Sequence, residues 1–306
     1  MPKPPAWLRA VRPKQWLKNL LTFAAPVAGG QLFEPSVLRH SFQAFVAFCL
    51  VSSAVYLVND LRDAEADRQH PTKRFRPIAA GELSPKAAVP MAVGCALAAL
   101  LVAWPGGGWQ AAWPAWLAVG WPPDWLLLAT IATYLVLQLA YSAFLKHQPV
   151  IDLAMVASGF LLRAVAGGVA SDIALSQWFL LVASFGSLFM VSGKRYSELK
   201  TLGDEARTRP SLAQYSLGYL ALVTTASVAV LIVCYCLWAL DSSHGQLWGV
   251  NWAAVSTAPF TLAVLRYAKV VDAGQAGEPE EVVLTDHMLQ ALAVLWAIPL
   301  AVAVFA

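Results

Sequence analysis

The sequence predicts an all-α, polytopic membrane protein: a bundle of nine transmembrane helices with its N-terminus in the cytoplasm. Three observations carry that expectation. Hydrophobic residues fill 58% of the 306 positions and charged residues only 13%, where a soluble chain would carry roughly a quarter. The missing charge falls in long apolar runs, most of them near the length that crosses a bilayer. The basic residues, finally, sort to one side of the topology those runs define.

In chain order the candidate spans are 19–37, 39–59, 86–104, 124–145, 149–171, 176–193, 212–240, 248–267 and 286–306. Pro26 and Gly29–Gly30 interrupt the first. The Trp-rich stretch 109–122 is too short to cross and reads as an interfacial excursion. With the N-terminus inside and nine alternating spans, inner segments hold five Lys/Arg before span 1, six between 60 and 86, Lys146, five in 194–209, and Arg266 with Lys269. That is 19 of the 21; Arg39 falls in an outer loop and Arg163 inside a span. The positive-inside rule asks for such a split from an odd number of spans. Treating 20–30 as the core of a cleaved signal peptide would flip the parity and put the basic loops outside.

No low-complexity linker or shift in composition divides the chain, so 1–306 reads as one domain. Cys49, Cys95, Cys234 and Cys236 all lie in apolar spans and suggest neither a disulfide framework nor a zinc site. The five histidines show no ligand spacing. The basic inner face suits anionic lipids of the bilayer or phosphorylated substrates; no nucleic-acid partner is expected. Gly159, Gly167 and Gly168 suit close helix packing, and small-residue faces of this kind serve equally within one chain or in a homo-oligomer.

Charge is densest in VNDLRDAEADRQHPTKRFRPIAAG, residues 58–81, directly after span 2. If the helix continues out of the membrane, Asp60, Asp63 and Asp67 share one face at i, i+3 and i+7, Asn59 flanks that face, and Glu65 points away. Three carboxylates on one stripe repel one another unless a cation joins them. Hard oxygen ligands that only partly enclose an ion suit Mg²⁺, which keeps waters and is commonly shared with substrate phosphates. Asp60, Asp63 and Asp67, with Asn59, are therefore the expected metal ligands and catalytic residues. Lys73, Arg74 and Arg76 follow at once, placed for phosphate oxygens the metal does not cover.

The second large charged loop opens with SGKRYSELK, giving Lys194, Arg195, Tyr196 and Glu198 as a second polar wall. Tyr141 and Lys146 close span 4 on the same side, and Arg163, costly in lipid, should face a polar cavity. The N-terminal VRPKQWLKN carries Arg12, Lys14, Gln15, Trp16, Lys18 and Asn19, either as a basic interfacial anchor or as a grip on a lipid head group.

The run Asn59-Asp60-x-x-Asp63-x-x-x-Asp67 at the inner end of span 2 resembles the first aspartate-rich motif of the UbiA superfamily of intramembrane prenyltransferases, and RPKQW, Tyr141…Lys146 and the span count agree. The resemblance covers essentially the whole chain and implies a UbiA-type bundle. Aromatic prenyltransferases of that superfamily carry a second Asp-x-x-x-Asp where this chain reads GKRYSELK. That departure, with EADRQHPTKRFRPIAAG and SLFMVSGKRY, is similar to the branch that transfers phosphoribose to decaprenyl phosphate. The resemblance implies phosphoribosyl pyrophosphate (PRPP) as donor, decaprenyl or another polyprenyl phosphate as acceptor, and a place in arabinan and arabinogalactan cell-wall precursor synthesis. It also implies a multi-pass enzyme of the plasma membrane with its site at the cytoplasmic face. On that reading Lys73, Arg74, Arg76, Tyr141, Lys146, Lys194, Arg195, Tyr196 and Glu198 serve the donor, and Lys14, Gln15, Lys18, Asn19 and Arg163 the acceptor phosphate. The acceptor is a phosphate monoester with a second pKa of about 6, already largely anionic at neutral pH, so no general base is required. Two other readings compete: prenylation of an aromatic acceptor, and a lipid carrier or channel without chemistry, which leaves the aspartate stripe unexplained.

Overall fold

The computed structural model describes residues 4–70, 72–105, 125–203, 212, 214–241 and 246–305. The Trp-rich stretch 109–122 lies outside the described residues. Within them the chain is nearly all helical, its only strands a two-residue hairpin pairing Gln246–Leu247 with Val250–Asn251. Eight helices are long: α1 Pro35–Arg62, α2 Pro85–Val102, α3 Trp125–Ala143, α4 Ile151–Ala170, α5 Gln177–Leu202, α6 Leu217–Asp241, α7 Trp252–Asp272 and α8 His287–Phe305. Each matches one predicted span from the second to the ninth. Six of them, α1, α2, α3, α4, α6 and α8, are long and apolar enough to cross a membrane.

The first predicted span, 19–37, differs: no single helix covers it. Pro13–Phe23 is a 3₁₀-helix, Ala24–Ala28 a short α-helix, and the chain turns at Gly30 (φ +69°) before α1 starts at Pro35. The reason lies in its side chains. Asn19 and Thr22 point inward and are fully buried, while Leu17, Leu20 and Leu21 face out. Polar groups turned to the protein and leucines turned away suit a segment anchored by hydrogen bonds rather than by its own apolar face.

The chain forms two compact units, residues 1–26, 32–143 and 162–174 in one and 27–31, 144–161 and 175–306 in the other, so that α4 gives half its length to each. In the first unit α1 is the central helix. It is apolar all round, as a core helix must be, with Phe48, Val51 and Leu57 fully buried. Phe48 meets Tyr134 of α3 edge-on at 5.2 Å, and the cluster extends to Ala99 of α2 and Ala166 of α4. Ser52 and Ser53 return their hydroxyls to carbonyls one turn back, so these two polar groups are satisfied within the helix. Gly167 of α4 lies so close to the Thr22 carbonyl that a Cβ would sit 1.6 Å from it, the tight packing expected of that glycine. By contrast α2 and α3 turn leucines and valines such as Leu101 and Val136 outward, as lipid permits.

In the second unit α5 and α6 pair along their length, as do α7 and α8. Phe189 of α5 meets Tyr267 of α7 edge-on at 5.4 Å. Deeper along α6, Tyr235 stacks on Phe260 at 3.9 Å, and its hydroxyl lies 2.7 Å from Ser256 Oγ while accepting from Trp296 Nε1 at 2.7 Å. Helix α5 does not stop where its apolar run does. It continues from Lys194 to Leu202, about 13 Å at 1.5 Å per residue, so the second charged loop begins as a continuation of that helix.

Candidate active site

The aspartate motif sits where α1 ends, in the first unit. Asp63 occupies the cap position (φ −93°, ψ 3°), its N–H bonded to the Asn59 carbonyl at 2.9 Å, and a new helix, Ala64–Gln69, starts beyond it. The predicted unbroken helix is thus interrupted at Asp63. The break matters for the stripe, because Asp60 and Asp67 are buried, at 2% and 3% exposure, and meet across one guanidinium. Arg76 Nη1 donates to Asp60 Oδ1 at 3.1 Å and to Asp67 Oδ2 at 2.6 Å. A second arginine, Arg12, donates from Nη2 to the same Asp60 oxygen at 2.5 Å and lies over the Tyr56 ring, 5.0 Å from its centre. Two buried carboxylates and two part-buried arginines make a neutral quartet, which makes burial of all four tolerable.

The basic run divides. Arg76 turns in to the acids, Arg74 turns out over the exposed Phe75 ring at 4.9 Å, and Lys73 is half-buried with its N–H bonded to His70 Nδ1 at 3.2 Å. Glu65 pairs with Arg68 on the exposed side, as expected for the residue pointing away.

Among the described residues no three His, Cys, Asp or Glu side chains gather closely enough to hold a metal by themselves. The oxygen set here nonetheless suits a hard cation. Asn59 Oδ1 is buried with no hydrogen-bond donor, next in sequence to Asp60, and an acceptor in that state is costly unless a cation or donor reaches it. Carboxylate and amide oxygens are the hard ligands that Mg²⁺ takes.

Arg163 and Asn19, both expected near an acceptor phosphate, are bonded to each other. Arg163, 5% exposed, donates from Nε to Asn19 Oδ1 at 2.7 Å and from Nη2 to the Tyr134 hydroxyl at 3.0 Å, and its guanidinium lies over the Tyr134 and Phe48 rings. Asn19 in turn donates to Cys49 Sγ at 3.3 Å. The pair joins the N-terminal segment to α1, α3 and α4. Trp16 adds a bond to Ser53 Oγ at 3.1 Å, Lys14 is exposed, and Gln15, Lys18 and Tyr141 are half-buried.

The second unit holds the other charged group. At the end of α5, Arg195 donates from Nη2 to Asp152 Oδ1 at 3.1 Å and from Nη1 to Glu198 Oε2 at 3.4 Å, while Lys194 Nζ lies 3.9 Å from Glu198 Oε1. Tyr196 faces elsewhere, its hydroxyl donating to Asp272 Oδ1 at 3.4 Å. Lys146 is half-buried in the turn Leu145–His147. Beside Glu198 opens a cavity of about 510 Å³ that Thr201, Gln275 and Thr285 also line.

The family model for UbiA prenyltransferases matches residues 20–292 and runs through both charged groups. The chain belongs to the UbiA prenyltransferase family. It is an enzyme of the UbiA type and a multi-pass membrane protein. Curated relatives named decaprenyl-phosphate phosphoribosyltransferase are similar along nearly their whole length. The one from Mycolicibacterium smegmatis is 47% identical over 94% of this chain and 89% of the relative. That from Corynebacterium glutamicum is 48% identical over 97% and 86%, and that from Mycobacterium tuberculosis 47% over 96% and 94%. Among solved structures, a UbiA homolog from Archaeoglobus fulgidus bound to DMAPP and Mg²⁺ superposes with a TM-score of 0.68 over 98% of each chain at 18% identity, a likeness of fold.

Two pairings in these groups escaped the sequence reading, which placed Arg12 on the N-terminal basic segment but not beside Asp60 and did not single out Asp152. Arg12 stands 48 positions from Asp60 and Asp152 stands 43 from Arg195, so helical spacing carries no trace of either pairing. A faint signal existed for each: a basic residue ahead of Pro13, and a lone carboxylate in the first turn of an apolar span, where charge is expensive.

Proposed function

We propose that this chain transfers 5-phosphoribosyl from PRPP to decaprenyl phosphate, releasing diphosphate, as a step in arabinan and arabinogalactan precursor synthesis. The observation that carries the reading is 47–48% identity, over 94–97% of the chain, to three curated decaprenyl-phosphate phosphoribosyltransferases. Both units serve one functional domain, since a single family model runs through them. The topology we favour keeps nine spans with the N-terminus and the site on the cytoplasmic side of the plasma membrane, on the strength of the 19-to-2 distribution of basic charge.

Asp60, Asp67, Asp63 and Asn59 would hold Mg²⁺, which when bound neutralises the departing diphosphate. Arg76 and Arg12 lie where they can turn from carboxylate to phosphate oxygens as the donor arrives, with Lys73 and Arg74 beside them. Lys146, Lys194 and Arg195 supply cations for the remaining phosphates, and Glu198 an acceptor for a ribose hydroxyl. Lys14, Gln15 and Lys18 lie on the N-terminal segment for the acceptor head group, and Arg163 with Asn19 holds that segment in place. The acceptor phosphate oxygen attacks C1 of the ribose as the C1–O bond to diphosphate breaks, through an oxocarbenium-like transition state resembling that of glycosyl transfer. A single displacement inverts the configuration at C1.

Purified protein in nanodiscs, given labelled PRPP and decaprenyl phosphate with and without Mg²⁺, tests the reading. Lipid-extractable label that requires Mg²⁺ and disappears in Asp60→Ala is the expected result. Folded protein that makes no labelled lipid overturns it, and isoprenyl diphosphates with aromatic acceptors would then be offered to the same preparation.

A further inference from the structure

Asp152 stands apart from the residues assigned so far. Among the described residues of its unit it is the only charged side chain that is fully buried, at 1% exposure. Burying a carboxylate beside an arginine is costly, and an apolar pair of similar size is often as stable or more so. The local backbone adds to the cost. Val150, two residues earlier, has φ +70°, a left-handed conformation that a β-branched residue rarely adopts and that tends to persist at functional sites. The strained residue is pinned, its N–H donating to the Tyr215 hydroxyl at 2.9 Å. This turn starts α4 with Asp152 in its first turn, and Asp152 Oδ1 receives Arg195 Nη2 at 3.1 Å.

A side chain so enclosed has no path to a substrate, whereas Arg195, with 17% of its side chain exposed, does. We propose that Asp152 is a positioning residue: it fixes the Arg195 guanidinium in the orientation that receives a phosphate group of the donor. This rests on the donor role given to Arg195 above. Glu198 at 3.4 Å holds the other terminal nitrogen more loosely, so Asp152 sets the direction of the guanidinium and Glu198 leaves it free to exchange for an anion.

The experiment is PRPP saturation kinetics in nanodiscs on Asp152→Asn, Asp152→Glu, Arg195→Gln and the double variant D152N/R195Q. Loss of one charge-assisted hydrogen bond should raise KM for PRPP about tenfold in Asp152→Asn, with kcat within about twofold and KM for decaprenyl phosphate unchanged. Asp152→Glu should recover part of that loss, and the double variant should be no worse than Arg195→Gln alone. Effects that multiply in the double variant, or parameters for both substrates that fall together with melting temperature, would overturn the proposal. Where Asp152→Asn does not fold, the Asp152→Glu and Arg195→Gln comparison decides, since a donor KM unmoved by either counts against it. If the wild-type chain does not turn over PRPP, the functional reading fails and the probe becomes inorganic diphosphate with Mg²⁺. Thermal protection that both Asp152→Asn and Arg195→Gln remove supports the proposal; protection that survives Asp152→Asn, or none in the wild type, ends it.

Discussion

The two charged groups invert one another. At the end of α1 the buried members are acids, Asp60 and Asp67; Arg76, just beyond the motif, pairs with both, and Arg12 of the N-terminal segment pairs with Asp60. At the end of α5 the basic residues are the accessible ones and a single acid, Asp152, lies buried behind them. Each group is close to neutral as it stands; on the proposed reading the first offers carboxylate oxygens to a cation and the second guanidinium and ammonium groups to an anion once a ligand arrives. An enzyme whose donor bears a diphosphate on one carbon and a phosphate on another has use for both.

The largest expected effect breaks that comparison if it fails. Asp60→Asn removes charge from the cation-binding group and should lower kcat/KM about 10³-fold, the scale of losing a preorganised electrostatic contact. Glu198→Gln, at the rim of the other group, should cost about tenfold or less, because its pairs with Arg195 at 3.4 Å and Lys194 at 3.9 Å are long and only partly buried. PRPP kinetics on the two variants checks this, and comparable losses would mean that the groups do not divide the work as described.

Arg163 separates chemistry from scaffold. Its guanidinium satisfies Asn19 and Tyr134 inside the first unit, so Arg163→Leu strands two buried polar groups at about 1–3 kcal/mol each. Unfolding in mixed micelles should show a loss on the order of 3 kcal/mol, with activity falling only as the folded fraction falls. A stable but inactive variant would place Arg163 in direct contact with substrate.

How far the sequence alone reaches follows from which interactions are local. Apolar run length located α1 to α8, most of their ends to within about five residues, because crossing a bilayer sets a length; the end of α5 was missed because that helix runs on through the charged stretch Lys194–Leu202. Run length failed for 19–37, where Asn19 is held by Arg163 far along the chain and Thr22 turns its hydroxyl back to the Asn19 carbonyl. Spacing brought Asp60 and Asp67 to one face but missed the break at Asp63, since helical arithmetic assumes that the helix continues. Arg76 was legible as a cation near acids, only nine and sixteen residues away. Arg12 and Asp152 were not, because their partners are fixed by the fold and not by periodicity.

Arg12 therefore offers a sharper test of the first group than its neighbours do. It holds Asp60 while stacked on Tyr56, from a left-handed backbone (φ 54°) directly before Pro13, a position that proline normally keeps extended. Arg12→Lys retains the charge but loses the planar stacking surface, and should lower kcat/KM for PRPP about five- to tenfold. An unchanged value would reduce Arg12 to a surface anchor.

The smallest effect supplies the control for the buried pair in the second unit. Arg266 and Asp286 form a partly exposed pair in the same unit, with Arg266 Nε donating to Asp286 Oδ2 at 2.9 Å. The Asp286 carboxyl is held below its usual 3.8, first by the Leu289 N–H it accepts at 2.9 Å and then by Arg266. Because its folded value is depressed, the stability it contributes is present above the unfolded value and disappears as pH falls through the folded one. Asp286→Asn should accordingly melt slightly below the wild type at pH 7, with the gap narrowing as pH falls below about 4, the unfolded value. Asp152→Asn, measured alongside, should show the larger gap at pH 7, since Arg195 then loses its nearest and most buried carboxylate and keeps Glu198 at 3.4 Å. Equal gaps would mean that burial adds nothing to the Asp152–Arg195 pair, and the case for its positioning role would lose its energetic basis.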